Sequence, residues 1–170
     1  IPLSANAGED ERMLAPKLEA RMLQALSVKP SDRVLEIGTG SGYMTALLAR
    51  RAAHVTSVEI NPEFSTQAAQ RLAAHDIRNI TLETGDGARG WARNAPYDAI
   101  VLTGSTPVLD PAFQASLNAG GRLLAIVGDA PAMTAQLINC EAPGVFRSTG
   151  LFETCVPPLR NAPQPKRFEF

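Results

Sequence analysis

The 170-residue sequence predicts an α/β sandwich, a mostly parallel central sheet covered by helices, with an antiparallel edge made by the C-terminal strands. Three observations carry that prediction. Short apolar runs alternate with helical stretches from residue 16 to residue 128. One of those runs passes straight into a glycine turn, "VLEIGTGSG", at residues 34–42. Beyond Met133 the helices stop and two strand-like stretches follow one another. The alternation demands right-handed crossovers and strands buried on both faces, which is the pattern of a parallel sheet.

Taken in order, "PKLEARMLQAL" (16–26) sets Leu18, Met22, Ala25 and Leu26 at helical intervals behind Pro16, a residue tolerated at a helix start. Val34 to Ile37 is too short for a helix and ends on glycines, so it is the first strand. "YMTALLARR" (43–51) is helical, and "HVTSVEI" (54–60) is a β-branched strand. A helix then opens on Asn61, Pro62 and Glu63, which suit the cap, the first helical position and the positive end of the dipole. "NITLETGDG" (79–87) supplies a third strand and a turn, "YDAIVLTG" (97–104) a fourth strand, "DPAFQASL" (110–117) a helix and "GGRLLAIVG" (120–128) a fifth strand. "MTAQLINC" (133–140) and "STGLFETCV" (148–156) make an antiparallel pair around "EAPGVFR" (141–147). The tail after Val156 is interrupted by Pro157, Pro158, Pro163 and Pro165, so an extended surface strap is expected.

Composition narrows the function. Hydrophobic residues make up 45% and charged residues 19%, ordinary for one globular domain, here spanning 1–170. A net charge of −1 gives no broad footprint for nucleic acid or an acidic membrane, and Arg50 with Arg51 or Lys166 with Arg167 read as solvated surface. Cys140 and Cys155 lie outside any zinc or redox spacing and read as ordinary thiols. No long apolar run or signal-peptide pattern is present, which predicts a cytoplasmic protein. The chain opens on Ile1 rather than Met, so an N-terminal segment is expected to be missing. Oligomeric state is not legible.

The glycine turn identifies the ligand class. Backbone N–H groups in such a turn approach a ligand closely, and the following helix N-terminus favours polar or anionic groups. Gly38, Gly40 and Gly42 are spaced G-x-G-x-G, whereas a dinucleotide fingerprint needs G-x-G-x-x-G, and Tyr43 occupies the place of its third glycine. A pyrophosphate is disfavoured. Glu36 beside the loop would repel a diphosphate but pair with an ammonium, and Glu59 ends the second strand where an acid can accept both hydroxyls of a ribose. A nucleoside carrying an amino-acid ammonium and no diphosphate describes S-adenosylmethionine, with S-adenosylhomocysteine as its product.

"VLEIGTGSGYMTALLAR", "VTSVEI", "GDGARGW", "APYDAIVLTG" and "LNAGGRLLAIVG" together resemble the protein-L-isoaspartate O-methyltransferases, a branch of the class I S-adenosylmethionine enzymes with a Rossmann-like sheet. The resemblance runs from about Leu14 to Leu159. It implies that Glu36, Gly38, Thr39, Gly40, Ser41 and Gly42 line the methionine end of the cofactor. It also implies that Glu59 and Ile60 hold the ribose and flank the adenine, and that Asp86 accepts from the adenine amino group beside the Gly87 backbone. Trp91 and Tyr97 look like packing residues rather than stacking partners.

The implied activity is methylation of a carboxylate in damaged, isoaspartyl protein, so a protein or peptide is the expected partner. Such an acceptor is ionised at neutral pH and needs no general base. This agrees with a chain holding only His54 and His75, neither at metal-ligand spacing, so no metal and no assigned catalytic residue are expected. On the acceptor side the family reads Ile-Ser-x-Pro-His-Met where this chain has "MLAPKL". Pro16 is kept, Leu14 stands at the serine, Lys17 at the histidine and Leu18 at the methionine. Leu14, Pro16 and Lys17 are the candidate substrate-binding residues, with Lys17 a replacement cation. A lost hydroxyl leaves two alternatives open: another acceptor on the same fold, or a domain that binds the cofactor without catalysis.

Overall fold

The computed structural model describes residues 2, 3 and 12–165. The Lys166–Arg167 spot, the end of the proline-rich tail and most of the opening segment lie outside the described residues. In chain order the elements are α1 (Pro16–Leu26), β1 (Arg33–Ile37), α2 (Tyr43–Ala49), β2 (His54–Glu59), α3 (Pro62–Ala74), β3 (Ile80–Thr84), β4 (Tyr97–Thr106), α4 (Pro111–Ala115), β5 (Leu117–Asp129), β6 (Ala132–Ala142) and β7 (Val145–Thr154).

All seven strands join one sheet in the order β3-β2-β1-β4-β5-β6-β7. The first five run parallel, and β6 and β7 add antiparallel neighbours at the edge, as the sequence predicts. Two connections differ from expectation. Between β3 and β4 the chain crosses without a helix, because Gly85, Gly87, Gly90 and Pro96 interrupt residues 85–96. The seven-residue link expected between the last two strands is instead a tight turn at Pro143 and Gly144, where Gly144 takes φ +78 and pairing continues to Ala142↔Val145.

Strand alternation builds a core on each face. Val34, Val55, Ala99, Val101 and Leu124 meet Met22, Leu26, Met44 and Leu48 on one side. Leu35, Ile37, Val58, Ile100, Leu102 and Leu123 meet Phe113 on the other. Glu36 shares the period of Val34, so its side chain enters the first face, beneath α2. Within α1 the fully buried stripe is Glu19, Met22 and Leu26, a face rotated slightly from the expected one, and Leu18 and Ala25 are half-buried. The C-terminal end of α1 is held by Arg122 of β5, which donates from Nε to the Leu26 carbonyl at 2.6 Å and pairs with Asp32 at 2.5 Å.

β1 lies between β2 and β4, so the connections leaving the carboxyl ends of β1 and β4 diverge there. Such a divergence opens a crevice, the usual ligand position in an open α/β sheet.

Candidate cofactor cavity

The crevice is a cavity whose floor is the glycine turn after β1. Gly38, Gly40 and Gly42 all take positive φ, at +97, +52 and +82. Such angles strain residues with a side chain and wrap the turn around the strand end. A Cβ on Gly38 would lie 2.3 Å from Thr103 Oγ1, because the Thr103 hydroxyl donates to the Gly38 carbonyl at 2.6 Å. Position 38 therefore tolerates no side chain. Gly42 lies outside the lining; it is the N-cap of α2, turning the chain into the helix.

Glu59, at the end of β2, clamps this turn. Its Oε2 accepts from the Gly40 amide at 2.8 Å and its Oε1 from the Asn61 amide at 3.0 Å. Asn61 in turn caps α3 by accepting from Glu63 N at 3.0 Å. Each carboxylate oxygen keeps further acceptor capacity toward the cavity, which Glu59 lines.

Asp86 and Gly87 line the same cavity from the loop after β3. Asp86 Oδ1 accepts from Ala88 N at 3.0 Å, a local turn that fixes the carboxylate, and Oδ2 accepts from Asn161 Nδ2 at 2.8 Å. A Cβ on Gly87 would come within 2.8 Å of Ile37, so the backbone there passes tight against β1. Thr39, Ser41 and Ile60 also line the cavity.

Glu36 departs from the expectation. It is fully buried and outside the cavity lining, held below the turn by hydroxyls. Thr45 and Ser57 donate to its Oε2 at 2.5 and 2.6 Å, and Thr39 joins the chain through Ser57 at 2.6 Å. Burial pushes its carboxyl up to about 8 against these two hydrogen bonds, so it is protonated at neutral pH. A neutral group behind the turn does not supply the charge the sequence reading assigned to it.

Glu19 of α1 supplies an acid that the sequence reading passed over. It is 4% exposed, lines the cavity beside the glycine turn, and its Oε2 is buried with no hydrogen-bond partner among the described residues. Desolvation raises its carboxyl to about 7. The available signal was its place on the buried 19, 22, 26 stripe of α1, where an acid interrupts an apolar face.

The C-terminal strap forms one wall of the cavity. Ser105 N donates to Pro157 O at 3.0 Å and Leu159 N to Ser105 O at 2.8 Å, so the strap pairs with the end of β4. Pro157, Pro158 and Leu159 line the cavity, and Ala162 is buried. The strap is extended as expected but is not wholly a surface element. Nothing in its sequence signalled that Asn161 would reach Asp86.

Among the candidate substrate residues, Leu14 is 8% exposed and lines the cavity. Pro16 and Lys17 are exposed and outside the lining, since they begin α1 on its outer side. Lys17 as a replacement cation in this cavity is therefore corrected. Trp91 and Tyr97 are packing residues: Trp91 lies against Gly85, and the Tyr97 hydroxyl donates to the Arg93 carbonyl. His54 bonds Thr81 across two strands at 2.9 Å. No three His, Cys, Asp or Glu cluster into a metal-binding group among the described residues.

The fit to S-adenosylmethionine rests on this donor set. A glycine turn admits backbone contact, two fixed carboxylates with spare lone pairs suit hydroxyl or amino donors, and Glu19 brings a third, buried carboxyl to the same wall.

The family model described as Protein-L-isoaspartate(D-aspartate) O-methyltransferase matches residues 2–157. Protein-L-isoaspartate O-methyltransferase 1 of Anaeromyxobacter sp. (strain Fw109-5) is 41% identical over 157 residues, covering 91% of this chain and 74% of that one. Protein-L-isoaspartate O-methyltransferase of Serratia proteamaculans (strain 568) is 43% identical over 122 residues, covering 72% of this chain and 59% of its own length. A solved protein-L-isoaspartate O-methyltransferase superposes with a TM-score of 0.76 at 26% identity, over 84% of this chain and 46% of that one. A structure from Plasmodium falciparum, described as a protein of the same type in complex with S-adenosyl-L-homocysteine, shares the fold with a TM-score of 0.80 at 18% identity, over 94% of this chain and 81% of that one.

Proposed function

Because the chain belongs to the protein-L-isoaspartate(D-aspartate) O-methyltransferase family, we propose that it is an S-adenosylmethionine-dependent O-methyltransferase acting on isoaspartyl carboxylates of damaged protein. The observation that carries this reading is the Glu59 clamp on Gly40 beside Asp86, in a cavity at the carboxyl ends of β1 and β2. When bound, the cofactor supplies the methyl electrophile as a sulfonium, so no protein nucleophile is required.

The protein's own contribution is to bind, orient and exclude water. Gly38 to Ser41 offer backbone groups to the amino-acid end, Glu59 with Ile60 takes the ribose side, and Asp86 with Gly87 takes the adenine side. Asn161 and the Glu59 amide partners hold these carboxylates in place before a ligand arrives, which lowers the cost of ordering them. Pro157, Pro158 and Leu159 add an apolar wall to the cavity.

Leu14 favours a second reading in which the acceptor differs. A buried isobutyl group stands where the family carries a serine, so a hydroxyl donor to the acceptor is missing there. The chain reads as one domain, which the continuous seven-stranded sheet supports. No helix among the described residues is long and apolar enough to cross a membrane. Two free cysteines, Cys155 among them exposed, suit a reducing, cytoplasmic compartment, and a net charge of −1 gives no attraction to nucleic acid.

The deciding experiment is transfer of a labelled methyl group to an isoaspartyl peptide, with the normal aspartyl peptide as control. Selective labelling of the isoaspartyl form is expected. No labelling, alongside retained S-adenosylhomocysteine binding, would sink that acceptor and favour the second reading.

A further inference from the structure

The cofactor proposed above carries an α-ammonium, which calls for an acidic partner in the cavity wall. Glu36, the acid nearest the glycine turn in sequence, lies behind the cavity with its Oε2 already engaged by two hydroxyls. Glu19, on a different element, lines the cavity with the turn residues Gly38 to Ser41. Its Oε2 is shielded from water and has no partner among the described residues. A buried carboxyl with no partner in the protein is costly, so Glu19 in a cavity wall points to a ligand donor that its carboxyl group turns to meet.

The charge balance points the same way. The other ionisable side chains lining the cavity are Arg12, Glu59, Asp86 and Arg160. Glu59 has both oxygens on backbone amides at the ribose side, and Asp86 is tied to Ala88 and Asn161 farther along. Glu19 also raises the Glu36 carboxyl behind the turn. Of the acids lining the cavity, Glu19 is thus the one with an oxygen left unpartnered among the described residues, which offers a place for a cation.

We propose that Glu19 of α1 is the residue that receives the α-ammonium of the bound cofactor, with Glu36 and its two hydroxyl partners as the polar backing of that subsite. The subsite thus belongs to the helix that precedes the Rossmann-like sheet, not to the glycine strand. This rests on the cofactor reading above, and it accounts for an acid on the buried stripe of α1. It also gives α1 a link between cofactor binding and the acceptor side, because Leu14 and Glu19 line one cavity from consecutive turns of chain.

Calorimetric binding of S-adenosylhomocysteine and of its desamino analogue, identical but for the missing amino group, tests the assignment without relying on turnover. The native chain is expected to prefer S-adenosylhomocysteine by about ten- to a hundred-fold, the range for a charge-assisted hydrogen bond. Glu19→Gln, close in size, is expected to lose most of that preference by weakening the amino ligand and leaving the analogue unchanged. Retained preference in Glu19→Gln, or equal weakening of both ligands, would overturn the assignment.

A second measurement keeps Glu19 intact, should the variant fail to fold. Glu19 is half-protonated near pH 7 without ligand, so an arriving ammonium expels a fraction of a proton. Titrations in buffers of different ionisation enthalpy are expected to show that release with S-adenosylhomocysteine and not with the analogue. Protons moved elsewhere in response to the nucleoside would appear with both ligands and cancel, and the same titrations on Glu36→Gln remove any release from the acid behind the turn. Equal release with both overturns the Glu19 assignment and leaves the cofactor reading standing, whereas binding of neither ligand removes both.

Discussion

Glu36 and Glu59, both acids at the end of a strand and both legible in the sequence, have opposite fates because of what surrounds them. Glu59 keeps its carboxylate at the cavity wall on two backbone amides, whereas Glu36 is swallowed by the core and sits on two hydroxyls. Glu59→Ala removes the clamp on Gly40 and, with it, the acceptor we propose for the ribose. It is expected to weaken S-adenosylhomocysteine at least about tenfold by calorimetry, and unchanged affinity would remove Glu59 from the site. The Glu36 carboxyl rises from near 4.5 to about 8 on folding, so between those values the folded chain holds a proton that the unfolded chain has released. The contribution of Glu36 to stability therefore falls as pH rises from about 5 to 8, on the order of a few kcal/mol, and that of Glu19 falls in the same direction up to about 7. Glu36→Gln should flatten that decline in urea midpoints measured across the range; an unaltered slope would mean that Glu36 does not titrate there. The sequence named both acids, but Thr45 and Ser57, which decide between them, carry no local signal for that role.

At the scale of elements, periodicity located every strand and helix, and the errors lie where a side chain from elsewhere sets the outcome. The apolar spacing of α1 was visible, yet its buried stripe is rotated toward Glu19, and its C-terminal end is held by Arg122 from β5, more than ninety residues away, through Leu26 O and Ser27 O, with Asp32 as the ion-pair partner. Arg122→Ala leaves Asp32 buried without its partner and frees the end of α1. A loss of about 3–5 kcal/mol is expected in urea unfolding, and a loss below about 1 kcal/mol would show that α1 is held by its apolar contacts alone. The strap after Val156 was legible as extended because its prolines forbid helix and central strand. Its pairing with Ser105 and the reach of Asn161 to Asp86 depend on where β4 ends in space, and no spacing in the tail encodes that.

For the whole molecule, the cavity draws on the ends of β1, β2 and β4, the loop after β3, α1 and the strap, so a ligand there ties distant parts of the chain together. S-adenosylhomocysteine at about a hundred times its dissociation constant is expected to add about 2.7 kcal/mol. For a chain of this size the melting temperature should rise by roughly 5–11 °C, read in a thermal scan with and without ligand, and no shift at saturation would contradict a site assembled from so many elements. The sequence by itself determined the strand and helix order, the mostly parallel sheet with its antiparallel edge, the glycine turn and the class of ligand it admits. These are local properties: hydrophobic period, β-branching, cap residues and the positive φ that only glycine takes easily. Only the tertiary structure decided that Glu36 is a buried neutral group, that Glu19 lines the cavity, that Lys17 does not, and that the tail forms one wall of the site. Those outcomes depend on burial and on partners far apart in the chain, and desolvation sets the charge of an acid according to its neighbours in space rather than its neighbours in sequence.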